Sequence, residues 1–365
     1  LRIGNFIMFD FLKSFTSPNS YLGVDIGTNS IKIVEIERTS GKPRLINYGM
    51  LENFGYLARQ NEAIQTSSLS LSVQETARLL KILCERSNFK TNYVIASIPA
   101  FASFITFMEV PEMPEGDMLN ALKYQIPKYI PLPVDETNID WLQVGQTKDE
   151  NGFIKQQILL TAVPKEKVSK YQEVFKVAGL NLKMLEVESL SLVRAVAAHT
   201  EEPVIVVDIG SRSTNIVVVD KGYVRYSSQA DYAGLSLTQA IAHGLGIDMK
   251  RGEELKKQRG IIVRQEEYEL STLTLPFIDA ILSDIERAKS AYDKGVAQPV
   301  TAVLLAGGGA NLLGLPKYIE DQVGLKAAIA NPFSNLDYPQ EISLVEKEIG
   351  PSLAVAIGLG IKEFV

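Results

Sequence analysis

The chain has very little of what thiol and transition-metal chemistry requires. Its 365 residues include one cysteine, Cys84, and two histidines, His199 and His243. A single cysteine excludes an intrachain disulfide framework and any cysteine-cluster metal site, and two histidines far apart in sequence do not make a structural zinc site. A basic surplus is also missing: 37 Lys and Arg stand against 43 Asp and Glu, a formal net charge of −6. Without an electropositive footprint, nucleic acid is not an expected partner. Long apolar runs are absent too. A membrane helix needs about 18–20 apolar residues, and the longest candidate, residues 353–361, is about half that length and interrupted by glycine. The opening stretch 6–15 is apolar but broken by Asp10 and Lys13 and lacks a small-residue cleavage site, so it does not read as a signal peptide. Met8 is a candidate start. Phe9, Phe11, Leu12 and Phe15 read as a short docking segment in preference to a membrane anchor. These absences predict a cytoplasmic protein with no direct membrane span. What is present, 46% hydrophobic and 22% charged residues, is the composition of a globular protein. The length predicts two or three folding units at roughly 150 residues each.

The informative feature is an internal repeat. Residues 21–34 read YLGVDIGTNSIKIV and residues 204–217 read VIVVDIGSRSTNIV. With Asp25 aligned on Asp208, six of the ten positions from there onward are identical, and the two copies stand 183 positions apart. In each copy an apolar strand ends at Asp, a Gly-Thr/Ser turn follows, and a second apolar strand leaves. A polar turn (39–42, and 220–222) then leads to a third strand. The pattern predicts two copies of one β-meander lobe, each continued by helices.

The residue types in that turn suit phosphate. Gly27 and Gly210 allow tight backbone geometry and place no side chain against a ligand. The N–H groups that follow, with Thr28, Asn29, Ser30, Ser211, Ser213 and Thr214, form a concave donor surface. Asp25 and Asp208 would repel bare phosphate and make sense with Mg²⁺ between, held largely through water because that ion dehydrates reluctantly. Lys32 and Arg212 can supply positive charge. A third glycine element follows a buried-type strand at 301–305: Gly307, Gly308 and Gly309, then an expected helix near 312–323. Strand, glycine turn and helix N-terminus together suit close backbone approach to a nucleotide.

Two hydroxyl-rich phosphate turns followed by a glycine-rich strand–turn resemble the actin-like ATPase superfamily. The resemblance spans about residues 20–361 and implies ATP with Mg²⁺ in a cleft between two RNase-H-like lobes. It maps the first phosphate motif on residues 25–32, the second on 208–214 and the adenosine motif on 304–310. The connecting helices fall at 188–198 and 352–360. Residues 252–256, with Glu253 and Lys256, resemble the adenine-side Glu-x-x-Lys helix and equally well read as a solvated charged face. Glu188 aligns with a carboxylate that heads the connecting helix in the chaperone ATPases. It reads either as a catalytic group acting with Asp208 on a water or as a helix-dipole carboxylate.

Residues 91–163 carry the branch. Strands near 93–99 and 105–110, a helix at about 116–126 ended or kinked by Pro127, the stretch 129–136 (YIPLPVDE), and strands near 140–144 and 156–163 resemble the inserted subdomain of the FtsA/PilM branch. The stretch 129–136 is closest to the PilM family of type IV pilus assembly. The expected fold is therefore α/β: duplicated actin-like lobes at 20–90 with 164–200 and at 201–365, the inserted α/β subdomain at 91–163, and an N-terminal extension at 1–19. FtsA proteins end in a linker and an amphipathic helix, whereas this sequence stops at Val365. The resemblance implies an ATP-binding scaffold at the cytoplasmic face of the inner membrane. It would receive the cytoplasmic N-terminal tail of a PilN-like membrane protein, contact other pilus platform proteins and hydrolyse ATP weakly at most; a homo-oligomer is compatible with it. The alternatives are a true ATP-hydrolysing enzyme and an FtsA-like filament former.

Smaller signals complete the reading. Ser72–Glu75 is a capping box opening a helix to about Asn88. Val168, Tyr171, Phe175 and Ala178, ended by Gly179, form one apolar stripe. Phe277, Ile281, Ile285, Ala288 and Tyr292 form another before Gly295. Cys84 belongs to the core of the first helix, the two histidines are structural, and residues 55–71 read as a polar surface loop.

Overall fold

The computed structural model describes residues 18–52, 72–130, 132–148, 152–261, 268–294, 296 and 298–365. The N-terminal docking segment and the loop at 55–71 lie outside these residues. The first compact unit contains β1 Ser20–Ile26, β2 Ser30–Glu37, β3 Arg44–Glu52, α1 Val73–Ser87, β4 Tyr93–Ile98, β5 Phe104–Pro111, α2 Glu115–Gln125, β6 Thr137–Lys148, β7 Ile154–Pro164, α3 Lys165–Ala178 and β8 Asn181–Val187, and the chain then enters α4 Glu188–Val196. The second contains β9 Val204–Ile209, β10 Thr214–Asp220, β11 Tyr223–Ala230, α5 Gly234–Leu245, α6 Met249–Arg259, α7 Tyr268–Asp293, β12 Ala302–Ala306, α8 Leu315–Val323, β13 Lys326–Ile329 and most of α9 Glu346–Gly360. The division falls after Ser191, earlier than the expected 200, and residues 359–365 belong to the first unit.

The repeat extends through whole sheets. The first unit's five-stranded sheet has the order β3-β2-β1-β4-β8 and the second unit's has β11-β10-β9-β12-β13. In each, three antiparallel strands form a meander and its first strand pairs in parallel with a central strand: Leu22 opposite Val94 in one, Val206 opposite Leu304 in the other. A further parallel strand closes each sheet. Parallel strands in such a sheet are buried on both faces, and β1, β4 and β9 are accordingly buried along almost their whole length.

Sheet pairing corrects one boundary. Residues 93–98, expected in the inserted subdomain, form β4, an inner strand of the first lobe's sheet paired to both β1 and β8. Hydrophobic strands read alike in sequence whichever sheet they join. The inserted subdomain is the separate sheet β5-β7-β6 with α2, between β4 and β8. It has its own core of Met108, Val110, Met118, Leu122, Ile126, Ile158 and Leu160. Pro127 acts as expected: α2 gives way to a 3₁₀ turn at Ile126–Lys128.

The helical expectations hold where period and caps coincide. Ser72 Oγ accepts from Glu75 N, and Asn88 ends α1 in a left-handed conformation. Gly179, at φ 78°, ends α3 below the buried stripe of Val168, Tyr171 and Phe175. Ile281, Ile285 and Ala288 of α7 enter the second unit's core. The expected helix at 312–323 starts later, at Leu315, after a 3₁₀ turn over Gly308–Asn311. The last helix starts earlier than 352, at Glu346, with Pro351 inside it.

Candidate functional site

The phosphate-type turn of each unit lies at the carboxyl end of a parallel strand, β1 in the first and β9 in the second. That edge is where open α/β sheets take ligands. In the first unit β1 and β2 form a tight hairpin: Asp25 lies opposite Lys32 and Ile26 opposite Ile31. Gly27 N donates to Ser30 O at 3.0 Å. In the second unit β9 and β10 repeat this register, Asp208 opposite Asn215 and Ile209 opposite Thr214, with Gly210 N donating to Ser213 O at 3.0 Å. Neither glycine takes a positive φ. Their requirement is space: a Cβ at Gly27 would stand 3.1 Å from the Ser30 carbonyl oxygen, and one at Gly210 would stand 2.9 Å from that of Ser213. The glycine closes the hairpin on itself, which is the tight backbone geometry expected of it. Thr28, Asn29, Ser30, Ser211, Arg212 and Ser213 are half-buried, and among the described residues their side chains make no hydrogen bond.

Asp25 is nearly buried, and both its carboxylate oxygens have partners. Oδ1 accepts from Ser97 Oγ at 2.9 Å and Oδ2 from Lys32 Nζ at 3.1 Å. Lys32 therefore neutralises Asp25, and a cation bound directly on that oxygen would sit against an ammonium. The arrangement fits a water-mediated role and not inner-sphere ligation. Among the described residues no cluster of three or more His, Cys, Asp or Glu could hold a metal alone, so any Mg²⁺ would need phosphate oxygens and water to complete its shell. Ser97 was not foreseen. A lone hydroxyl in the apolar run of β4 was its only local signal.

In the second unit the two glycine elements touch. β12 runs parallel to β9 with Ala306 opposite Asp208, and Gly307 follows at φ 78°, ψ 171°. A Cβ there would stand 2.3 Å from Asp208 Oδ1 and 2.5 Å from Ile209 O, and one on Gly309 would stand 2.3 Å from Ile209 Cγ2. Gly308 differs: it is exposed, and its nearest contact would be Ser352 Oγ at 3.5 Å. The triplet thus divides into two residues that let the adenosine-type turn lie on the phosphate-type turn and one that presents bare backbone outward. Thr214 departs from expectation. Its hydroxyl is fully buried and donates to Tyr232 O at 2.7 Å, so it holds the hairpin to the following chain and is not an open phosphate donor.

Glu253 and Lys256 lie on α6, and the solvated-face reading does not hold. Lys256 Nζ contacts Glu253 Oε2 at 2.6 Å, Thr238 Oγ1 at 2.9 Å and Gly234 O at 2.9 Å. Burial pushes the Lys256 ammonium below its ordinary value despite Glu253. For Glu253 burial pushes the other way, but Lys256, Thr238 and Lys257 together outweigh it and hold the carboxyl below its usual range. Glu188, at the head of α4, accepts from Ala100 N at 2.9 Å, a structural bond that ties α4 to the turn after β4.

Comparison with known proteins gives the family and the fold. The family model described as type IV pilus assembly protein PilM matches residues 23–364. Among solved structures, a PilM–PilN type IV pilus biogenesis complex superposes with a TM-score of 0.79 at 23% identity, covering 94% of this chain and 99% of that one. MreB5 of Spiroplasma citri bound to ADP superposes at 0.54 and 14% identity, with 94% and 96% covered, and shares the fold alone. Among curated proteins, the cell division protein FtsA of Enterococcus hirae is 24% identical over 384 residues, 89% of this chain and 84% of that protein. The fold is that of the actin-like ATPases, and the chain belongs to the PilM family of type IV pilus assembly proteins.

Proposed function

We propose that the protein binds ATP with Mg²⁺ and serves as a scaffold of the type IV pilus assembly platform. It would hold the cytoplasmic N-terminal tail of a PilN-like membrane protein and so reach the membrane through that partner. The observation that carries the nucleotide part is the repeated hairpin. Two turns in one register, each at the carboxyl end of a parallel strand, display hydroxyls and amides that make no hydrogen bond within the protein's described residues. Thr28, Asn29, Ser30, Ser211 and Ser213 would hold phosphate oxygens, with Arg212 adding charge. Asp25 and Asp208 would orient the water shell of Mg²⁺, whose contribution is to neutralise the phosphates. Gly308 would offer backbone to the nucleoside. The partner part is supported by the family and by the fold shared with a PilM–PilN complex along nearly the whole chain. Among the described residues no helix is long and apolar enough to cross a membrane.

Isothermal titration with Mg-ATP, and separately with a peptide of the PilN-like tail, tests the reading. Saturable binding of both is expected, and absence of both heats together with any thermal shift would overturn it. The FtsA relatives favour a second reading, a nucleotide-dependent filament. Light scattering that rises on addition of Mg-ATP would support it, and particles that stay monomeric or dimeric would remove it. A hydrolytic role for Glu188 and Asp208 requires turnover above background that is lost in Glu188→Gln.

A further inference from the structure

A set of part-buried contacts lies outside the two phosphate-type turns and the glycine triplet. They run from α6 through Thr238, a buried residue with no counterpart among the expected site residues, to the second phosphate-type turn. An ammonium has three donors, and Lys256 has three acceptors within reach: Gly234 O, Thr238 Oγ1 and Glu253 Oε2. It is saturated within the protein. The Thr238 hydroxyl has one proton, and of its two acceptors Glu253 Oε2 at 2.5 Å is closer than Gly234 O at 3.0 Å. Thr238 thus donates to Glu253 and accepts from Lys256, while Lys256 holds the Gly234 carbonyl. Gly252 lets α6 approach this closely, since a Cβ there would stand 3.0 Å from Thr238 O.

Gly234 is also the first residue of α5, whose leading amides have no partner inside the helix. Those amides bond the turn: Gly234 N donates to Gly210 O at 3.1 Å and Leu235 N to Ser211 O at 2.8 Å. One peptide unit therefore separates the α6 cluster from the hairpin. We propose that Thr238 and Lys256 are positioning residues that act through the first turn of α5. They would fix the carbonyls of Gly210 and Ser211 toward α5 and so set the orientation in which Ser211, Arg212 and Ser213 meet a phosphate. This deepens the nucleotide-binding reading and rests on it. It also gives the Glu-x-x-Lys element a task other than direct contact through the lysine.

The test is Thr238→Val, which keeps the volume and removes the hydroxyl, read by amide hydrogen exchange in the nucleotide-free protein and by Mg-ATP titration. Expected are faster exchange across residues 208–214 with α8 unchanged, a roughly tenfold weaker Mg-ATP affinity, and recovery of both in Thr238→Ser. Should Thr238→Val fail to fold, Lys256→Met removes the same link from the α6 side. Unchanged exchange at 208–214 would overturn the proposal, as would faster exchange with Mg-ATP affinity intact. If the unmutated protein binds no Mg-ATP while Thr238→Val still loosens 208–214, the nucleotide reading fails and the structural link to the turn stands.

Discussion

Gly307→Ala and Gly308→Ala separate the two tasks of the glycine turn. At Gly307 the backbone sits at φ 78°, ψ 171°, a region that is in practice open only to glycine and costs another residue about 1–3 kcal/mol. The new methyl would also meet Asp208 Oδ1 at 2.3 Å and Ile209 O at 2.5 Å. Neither is the end of a long flexible side chain, and overpacking of this kind costs about 1–3 kcal/mol more. The middle of the combined range is about 4 kcal/mol, and in a domain of 150–250 residues that lowers the melting temperature by roughly 8–16 °C. Gly308 has no positive φ and would meet only Ser352 Oγ at 3.5 Å, so its alanine variant should stay within about 0.5 kcal/mol of the parent. Because Gly308 presents bare backbone at the turn, that variant should instead weaken Mg-ATP binding. Urea unfolding and calorimetric titration of both variants decide the matter. A Gly307→Ala protein within 1 kcal/mol of the parent would refute the packing argument. A Gly308→Ala protein as unstable as Gly307→Ala would refute the division of labour.

Three further outcomes are expected. Lys362 pairs with the fully buried Glu186, so Lys362→Met should cost about 3–5 kcal/mol in urea unfolding by removing the cation paired with a buried carboxylate, and adding Glu186→Leu should recover most of the loss; a single variant as stable as the parent would exclude this. Ser72→Ala removes the cap on Glu75 N and should cost about 1 kcal/mol, with faster exchange confined to the first turn of α1. Burial, helped by Glu85, pushes the Cys84 thiol up to about 11, so alkylation should be slow at pH 8 and rise only toward pH 11. The folded pKa lies above that of the unfolded thiol. The corresponding stability is therefore fully present below about pH 9 and declines as pH rises toward 11; rapid alkylation at pH 8 would show the thiol to be unperturbed.

Much of the architecture was legible because it is written locally. Asp25-Ile26-Gly27 and Asp208-Ile209-Gly210 each specify a strand, a tight turn and a returning strand within ten residues, and the structure closes both hairpins in one register. Ser72, Gly179 and Pro127 mark ends that follow from capping chemistry and a missing amide. The role of β4 was not legible, because its apolar run Val94-Ile95-Ala96 describes a buried strand without naming its sheet. Glu253 and Lys256 read equally well as an adenine-side pair or a solvated face because their partners, Thr238 and Gly234, belong to another helix.

Local chemistry, then, was enough for the duplication, the glycine turns, the carboxylates ahead of them and the family resemblance, since each rests on residues within one or two turns of chain. Long-range pairing was needed for the rest. It places Ser97 on Asp25 through the parallel register of β1 and β4, turns Thr214 inward, divides the glycine triplet by what lies beneath each member, and satisfies Lys256 entirely within the protein. Those outcomes depend on which atoms stand within 3–4 Å across separate elements, a distance that no spacing along the chain encodes.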